Sequence, residues 1–113
     1  MVERTKITEI KRLLRNLGIP VNLIGYNYIA ESVNLMLNSN RIIFLIEIYK
    51  NISAKYNVSI ESIEISIRHA IKKTVKNNSN IKNIMCVPED KTISNSIFLN
   101  TIKEMVWETL DRF

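Results

Sequence analysis

One cysteine, one histidine, one tryptophan, two glycines and two prolines occur in 113 residues. Each shortage excludes a class of chemistry. A lone Cys86 forms no intramolecular disulfide and builds no cysteine-based zinc site, which fits a reducing compartment. It is expected as a buried free thiol, since no spacing typical of a cysteine nucleophile surrounds it. A lone His69 excludes a histidine-rich metal site and a catalytic dyad, and is read as a surface or phosphate-contacting residue. With so few glycines there is no glycine-rich phosphate loop. Glu61 and Glu64 are neighbouring carboxylates, but they lack a glycine-bounded pocket or an obvious partner. No enzyme, no cofactor, no metal and no small-molecule substrate are expected. Long apolar runs are also missing: Ile42 to Ile48 is interrupted by Glu47 and falls far short of the roughly 20 residues of a membrane span. Met1 to Lys6 carries no apolar signal-peptide core. The chain therefore reads as soluble and cytoplasmic, with no membrane partner.

What is present points to helices. At 46% hydrophobic and 24% charged residues, the chain has the balance of one globular domain, spanning 1–113. Apolar residues recur at three- and four-residue spacing along most of it. The fold expected is all-α, a compact bundle of about six helices. The first runs from about Thr5 to Leu17, with Ile7, Ile10, Leu13, Leu14 and Leu17 on one stripe; Gly18 supplies a left-handed stop and Pro20 prevents continuation. A second fits Tyr28 to Leu37, after a break at Gly25, and ends in Asn38-Ser39-Asn40. A third covers Arg41 to Tyr56, apolar nearly all round in its first half and so expected at the centre of the core. A fourth runs from Ser59 to Lys76, a short fifth from Ile81 to Cys86. The last begins near Ser94 to Ser96 and carries Ile97, Phe98, Ile102, Met105, Val106 and Leu110.

The segment that carries chemistry is Ile52 to Lys76. One helix ends at Tyr56, Asn57-Val58-Ser59 turns, and a second helix starts at Ile60, which is helix-turn-helix spacing. Asn57 suits a turn that needs positive φ. Ala54 is small and would permit close helix approach. Ser59 can cap the second helix, and Glu61 sits in its first turn, where negative charge meets the positive dipole end. At 100° per residue, Ile60, Ile63, Ile67, Ala70, Ile71 and Thr74 share one sector and should be buried. Glu61, Ser62, Ile65, Arg68, His69, Lys72 and Lys76 face the other way, with Glu64 and Lys73 at the margins. Such a face can be an ordinary solvated surface, but Arg68 and Ile65 favour base reading. Arginine pairs bidentately with guanine, glutamate accepts from cytosine N4, and an isoleucine can pack on a thymine methyl. Lys72, Lys73 and Lys76 suit phosphates. The net charge of +5 agrees with a polyanionic partner, double-stranded DNA first. Under this reading the DNA-contacting set is Lys55, Ser59, Glu61, Ser62, Glu64, Ile65, Arg68, His69, Lys72, Lys73 and Lys76.

Glu61-Ser62-Ile63-Glu64-Ile65-Ser66-Ile67-Arg68-His69-Ala70-Ile71 resembles the recognition helix of the C-terminal effector domain of the sporulation master response regulator of endospore-forming bacteria. Gly18-Ile19-Pro20 with Gly25-Tyr26-Asn27-Tyr28, and Asn95-Ser96-Ile97-Phe98, resemble two further segments of that family. The likeness covers nearly the whole chain. It implies a helical bundle that binds short promoter elements, often as tandem dimers, and works with RNA polymerase to activate or repress transcription. Family members carry arginines at the positions of Ser62 and Ile65, whereas Glu64, Arg68 and His69 match. The receiver domain that precedes this module in the family does not occur in the 113 residues, which leaves an excised domain or a stand-alone paralogue. A paralogue of that kind could instead act as an interaction module that pairs with a full-length regulator, with Ile65, Trp107 and Phe113 as its interface.

Overall fold

The computed structural model describes the backbone of residues 2–110 and the side chains of residues 6–110. Within them are six helices and no strand: α1 (Val2–Leu17), α2 (Ile24–Asn38), α3 (Leu45–Tyr56), α4 (Ile60–Asn77), α5 (Ile81–Ile84) and α6 (Asn95–Leu110). The all-α bundle expected from periodicity is the fold observed.

Helix α1 buries Ile10, Leu14 and Leu17, the i, i+4, i+7 stripe that one side of a helix presents. Its end is a Schellman closure. Gly18 sits at φ 95°, its N–H donates to the Arg15 carbonyl, and the Ile19 N–H donates to the Leu14 carbonyl at 3.1 Å. That pattern satisfies carbonyls that the last turn would otherwise leave open. The Leu17 carbonyl accepts from Asn78 Nδ2 at 3.0 Å, so the asparagine cluster that stops α4 also caps α1.

The central helix is α2, which touches α1, α3, α4 and α6. It buries Tyr26, Tyr28, Ile29, Ala30, Val33, Met36 and Leu37. Ser32, fully buried, donates its hydroxyl to the Tyr28 carbonyl at 2.7 Å and so carries no unmet donor. Gly25 is not a break but part of the helix: a Cβ there would stand 2.3 Å from the Ser66 carbonyl oxygen and 2.9 Å from Ala70 Cβ. Only a residue without a side chain lets α2 and α4 approach so closely. This overturns the expectation that α2 starts at Tyr28. Ala54, expected to permit close helix approach in the helix-turn-helix, is exposed instead.

Helix α3 is shorter and less central than its apolar composition suggested. Residues 41–44 are non-helical, and Ile42 and Phe44 are 84% and 67% exposed. The start is set by Glu47, whose carboxylate accepts from the Phe44 N–H at 3.2 Å and from Arg41 at 2.8 Å. An acceptor three residues inside the helix satisfies one of its orphan donors. From Leu45 onward, Ile48, Tyr49 and Ile52 face the core. Two further expectations fail. Cys86 is exposed, because it takes the left-handed position (φ 57°) that closes α5: the Cys86 N–H donates to Asn83 and the Val87 N–H to Lys82. The α5 helix therefore stops at Ile84. In α6, Phe98, Leu99, Ile102 and Val106 are buried and Ile97 is exposed. No described helix is long and apolar enough to cross a membrane.

Candidate nucleic-acid interface

The turn between α3 and α4 takes its shape from three residues. Asn57 adopts φ 54°, ψ 49°, the left-handed region that asparagine tolerates better than other side chains. The Ser53 hydroxyl donates to the Val58 carbonyl at 2.5 Å, and the Val58 N–H returns to the Ser53 carbonyl at 3.3 Å. Ser59 then caps α4, its hydroxyl oxygen accepting from the Ser62 N–H at 3.0 Å, with Glu61 in the first turn.

Once capped, α4 divides into two faces. Ile63, Ile67, Ala70, Ile71 and Thr74 are buried, and the Thr74 hydroxyl is satisfied by the Ala70 carbonyl at 2.8 Å. Ile60 is only half buried. On the opposite face Glu61, Ser62, Ile65, Arg68, His69, Lys72, Lys73 and Lys76 are all exposed. Ile65, at 58% exposure, is an apolar residue with no core to join. Arg68 donates to Glu64 at 2.5 Å, and both side chains stay about half exposed. The glutamate thus holds the guanidinium from one turn away.

Lys55 is separate from this face. It lies near the end of α3 and its ammonium is 2.7 Å from Glu31, which also accepts from the Tyr56 hydroxyl at 2.7 Å. The Glu31 hydrogen bond raises the Lys55 and Tyr56 pKa values. Tyr56 packs edge-on to Tyr28, ring centroids 5.6 Å apart. The cluster ties the end of α3 to α2 and leaves Lys55 engaged within the protein. The other ten residues read from the sequence lie on α4 or its cap.

Sequence reasoning missed the flank of α4. A groove of about 690 Å³ runs beside it. One wall is Glu64, Arg68, Lys72 and Lys76, the other Lys82 and residues 92–96, and Tyr49, Ile71, Val75 and Ile93 are among the apolar lining. Asn95 fixes the second wall: its Nδ2 donates to the Tyr49 hydroxyl at 3.2 Å and to the Glu64 carbonyl at 3.1 Å. Burial raises the Tyr49 pKa, with the Asn95 hydrogen bond opposing. The one sequence signal here is Asn95-Ser96, which marks the start of α6 and not a site. Among the described residues no three His, Cys, Asp or Glu side chains cluster as metal ligands would.

The family described as "Sporulation initiation factor Spo0A C terminal" matches residues 10–106. That span runs from Ile10 in α1 to Val106 in α6, taking in the capped turn, the two-faced α4 and the groove. The chain belongs to this family of sporulation-initiation, DNA-binding regulatory domains.

Proposed function

We propose that the chain is a sequence-specific regulator of transcription whose helix α4 lies in the major groove of duplex DNA. In this reading Arg68, held by Glu64, reads guanine; Ile65 packs on a thymine methyl; Glu64 accepts from a neighbouring cytosine; and Lys72, Lys73 and Lys76 contact phosphates. The observation that carries it is the outer face of α4, where an exposed arginine, histidine, isoleucine and three lysines follow a capped helix-turn-helix turn. A cytoplasmic setting, pairing on tandem sites and contact with RNA polymerase belong to the same proposal. Selection of bound sequences from random duplex DNA at physiological salt tests it. A sharp motif is expected, with log K falling against log salt by about 0.9 per phosphate contacted. Binding without sequence preference, or unchanged by salt, overturns it.

A second reading has its own observation. Ile42, Phe44 and Trp107 are 84%, 67% and 54% exposed, and Ile42 and Trp107 line a concavity with Met36 and Leu37. Such a patch suits a protein partner, as in a module that interferes with a full-length regulator. Phe113, also read as an interface residue, lies outside the described residues. Sedimentation separates the readings: the DNA-binding one expects little self-association in free solution and pairing on duplexes with two adjacent sites, whereas a stable dimer without DNA favours the interaction module.

A further inference from the structure

We propose that the groove between α4 and the start of α6 seats the phosphodiester strand bordering the major groove. Lys82, Ser94 and Ser96 then form a second half of the interface, outside the helix-turn-helix; the inference rests on the DNA-binding reading and extends it. The groove walls carry four cations, Arg68, Lys72, Lys76 and Lys82, against one carboxylate, Glu64, which is already paired with Arg68. The excess is positive, and an apolar lining beneath it concentrates the field instead of screening it. From Glu64 to Lys76 the α4 wall spans about 18 Å at 1.5 Å per residue, room for several phosphates at about 3.4 Å of axis each.

The opposite wall is built to donate. The Ser94 hydroxyl oxygen accepts from the Ile97 N–H at 3.1 Å, which leaves its O–H free to donate outward. Ser96 is exposed and its oxygen receives only Asn100 Nδ2 at 3.5 Å. Lys82 gives one proton to the Glu89 carbonyl at 2.8 Å and keeps two donors. Asn95 holds this wall in register with the recognition helix through the Glu64 carbonyl, and it is nine-tenths buried with its Oδ1 unpartnered. Because Arg68, Lys72 and Lys76 belong to both the groove and the outer face, a strand in the groove runs alongside bases read by α4. Hydroxyls, lysines and backbone amides are the usual phosphate donors.

The test compares Lys82→Ala, Ser96→Asp and, as a control, Lys91→Ala, an exposed lysine on the segment between α5 and α6 that does not line the groove. Ser96→Asp places a negative charge in the first turn of α6, which favours the fold while repelling a phosphate, so lost binding is not lost structure. Affinity is measured against salt for the selected duplex and a scrambled one. Lys82→Ala and Ser96→Asp are expected to weaken both duplexes about tenfold, a change of about 1.4 kcal/mol. Lys82→Ala should also lower the salt slope by about 0.9, with base preference unchanged. Lys91→Ala should change affinity less than threefold. Equal losses for Lys91→Ala and Lys82→Ala, or wild-type affinity in both groove variants, overturn the groove. If the wild type selects a sharp motif and the groove variants bind normally, this inference alone fails. If no motif emerges yet the groove variants weaken every duplex, the base-reading proposal fails and the groove stands.

Discussion

Helices α2 and α4 are similar in length and touch each other, yet they spend their surfaces differently. In α2, nine of 15 residues are buried and four other helices surround it; in α4, five of 18 are buried. The first is hydrophobic round a wide arc and serves as the axle of the bundle. The second is amphipathic, and its free face is where recognition can occur. What allows a half-exposed helix to hold a fixed orientation is the crossing at Gly25, where backbone meets backbone and no side chain can slide.

That comparison breaks most visibly at the crossing. Gly25→Ala gains about 1 kcal/mol of helix propensity, but its Cβ would lie 2.3 Å from a backbone oxygen, an atom that cannot swing aside. A net loss of about 2–3 kcal/mol is expected, in the range for overpacking, lowering the melting midpoint by on the order of 10 °C. An unchanged melt would show that the helices do not meet there.

On the free face, Arg68→Ala should weaken specific binding by about 2 kcal/mol and relax preference at one base pair, whereas Lys76→Ala should weaken all sequences alike. Uniform loss in both makes Arg68 a phosphate contact. Ser59→Ala removes the α4 cap seen at 3.0 Å and should cost about 1 kcal/mol of stability, readable by denaturant titration. A null result would mean that backbone and solvent satisfy the Ser62 N–H equally well.

Ile65→Arg sharpens the contrast because it changes reading and not folding. Stability should stay within about 0.5 kcal/mol, while the preferred pair moves from T·A towards G. A large stability loss would place Ile65 in the core. The smallest effect concerns Glu47, whose pKa is lowered by the Arg41 hydrogen bond first and the Phe44 backbone second. A depressed carboxyl pKa contributes stability above the unfolded value of 4.5, lost as pH falls through the folded one. The protection of the Phe44 to Ile48 amides, taken relative to the intrinsic exchange rate at each pH, should fall as pH drops below the ordinary carboxylate range and stay constant in Glu47→Gln.

Much of the site was legible because it is local. Asn57 at positive φ, Ser59 as a cap and the buried stripe of α4 follow from spacing within one or two turns, and each is seen where expected except Ile60, which stays half buried at the first turn. Elements set by distant partners were not. Gly25 read as a break because its partner, Ser66, is 41 residues away in sequence. Arg41 to Phe44 read as core helix because apolar composition does not say which residues find a neighbour; Glu47 starts the helix after them. Cys86 read as buried because a backbone turn, and not its thiol, decides where it sits.

The sequence by itself determined the helical class, the caps and the two faces of α4, since these depend on 3.6-residue periodicity and on side chains reaching their own backbone. Only the tertiary structure decided which helix is the axle, how closely α2 and α4 cross, and that residues 92–96 stand opposite Arg68 across a groove. Those are contacts between segments far apart in the chain, and no local period encodes them.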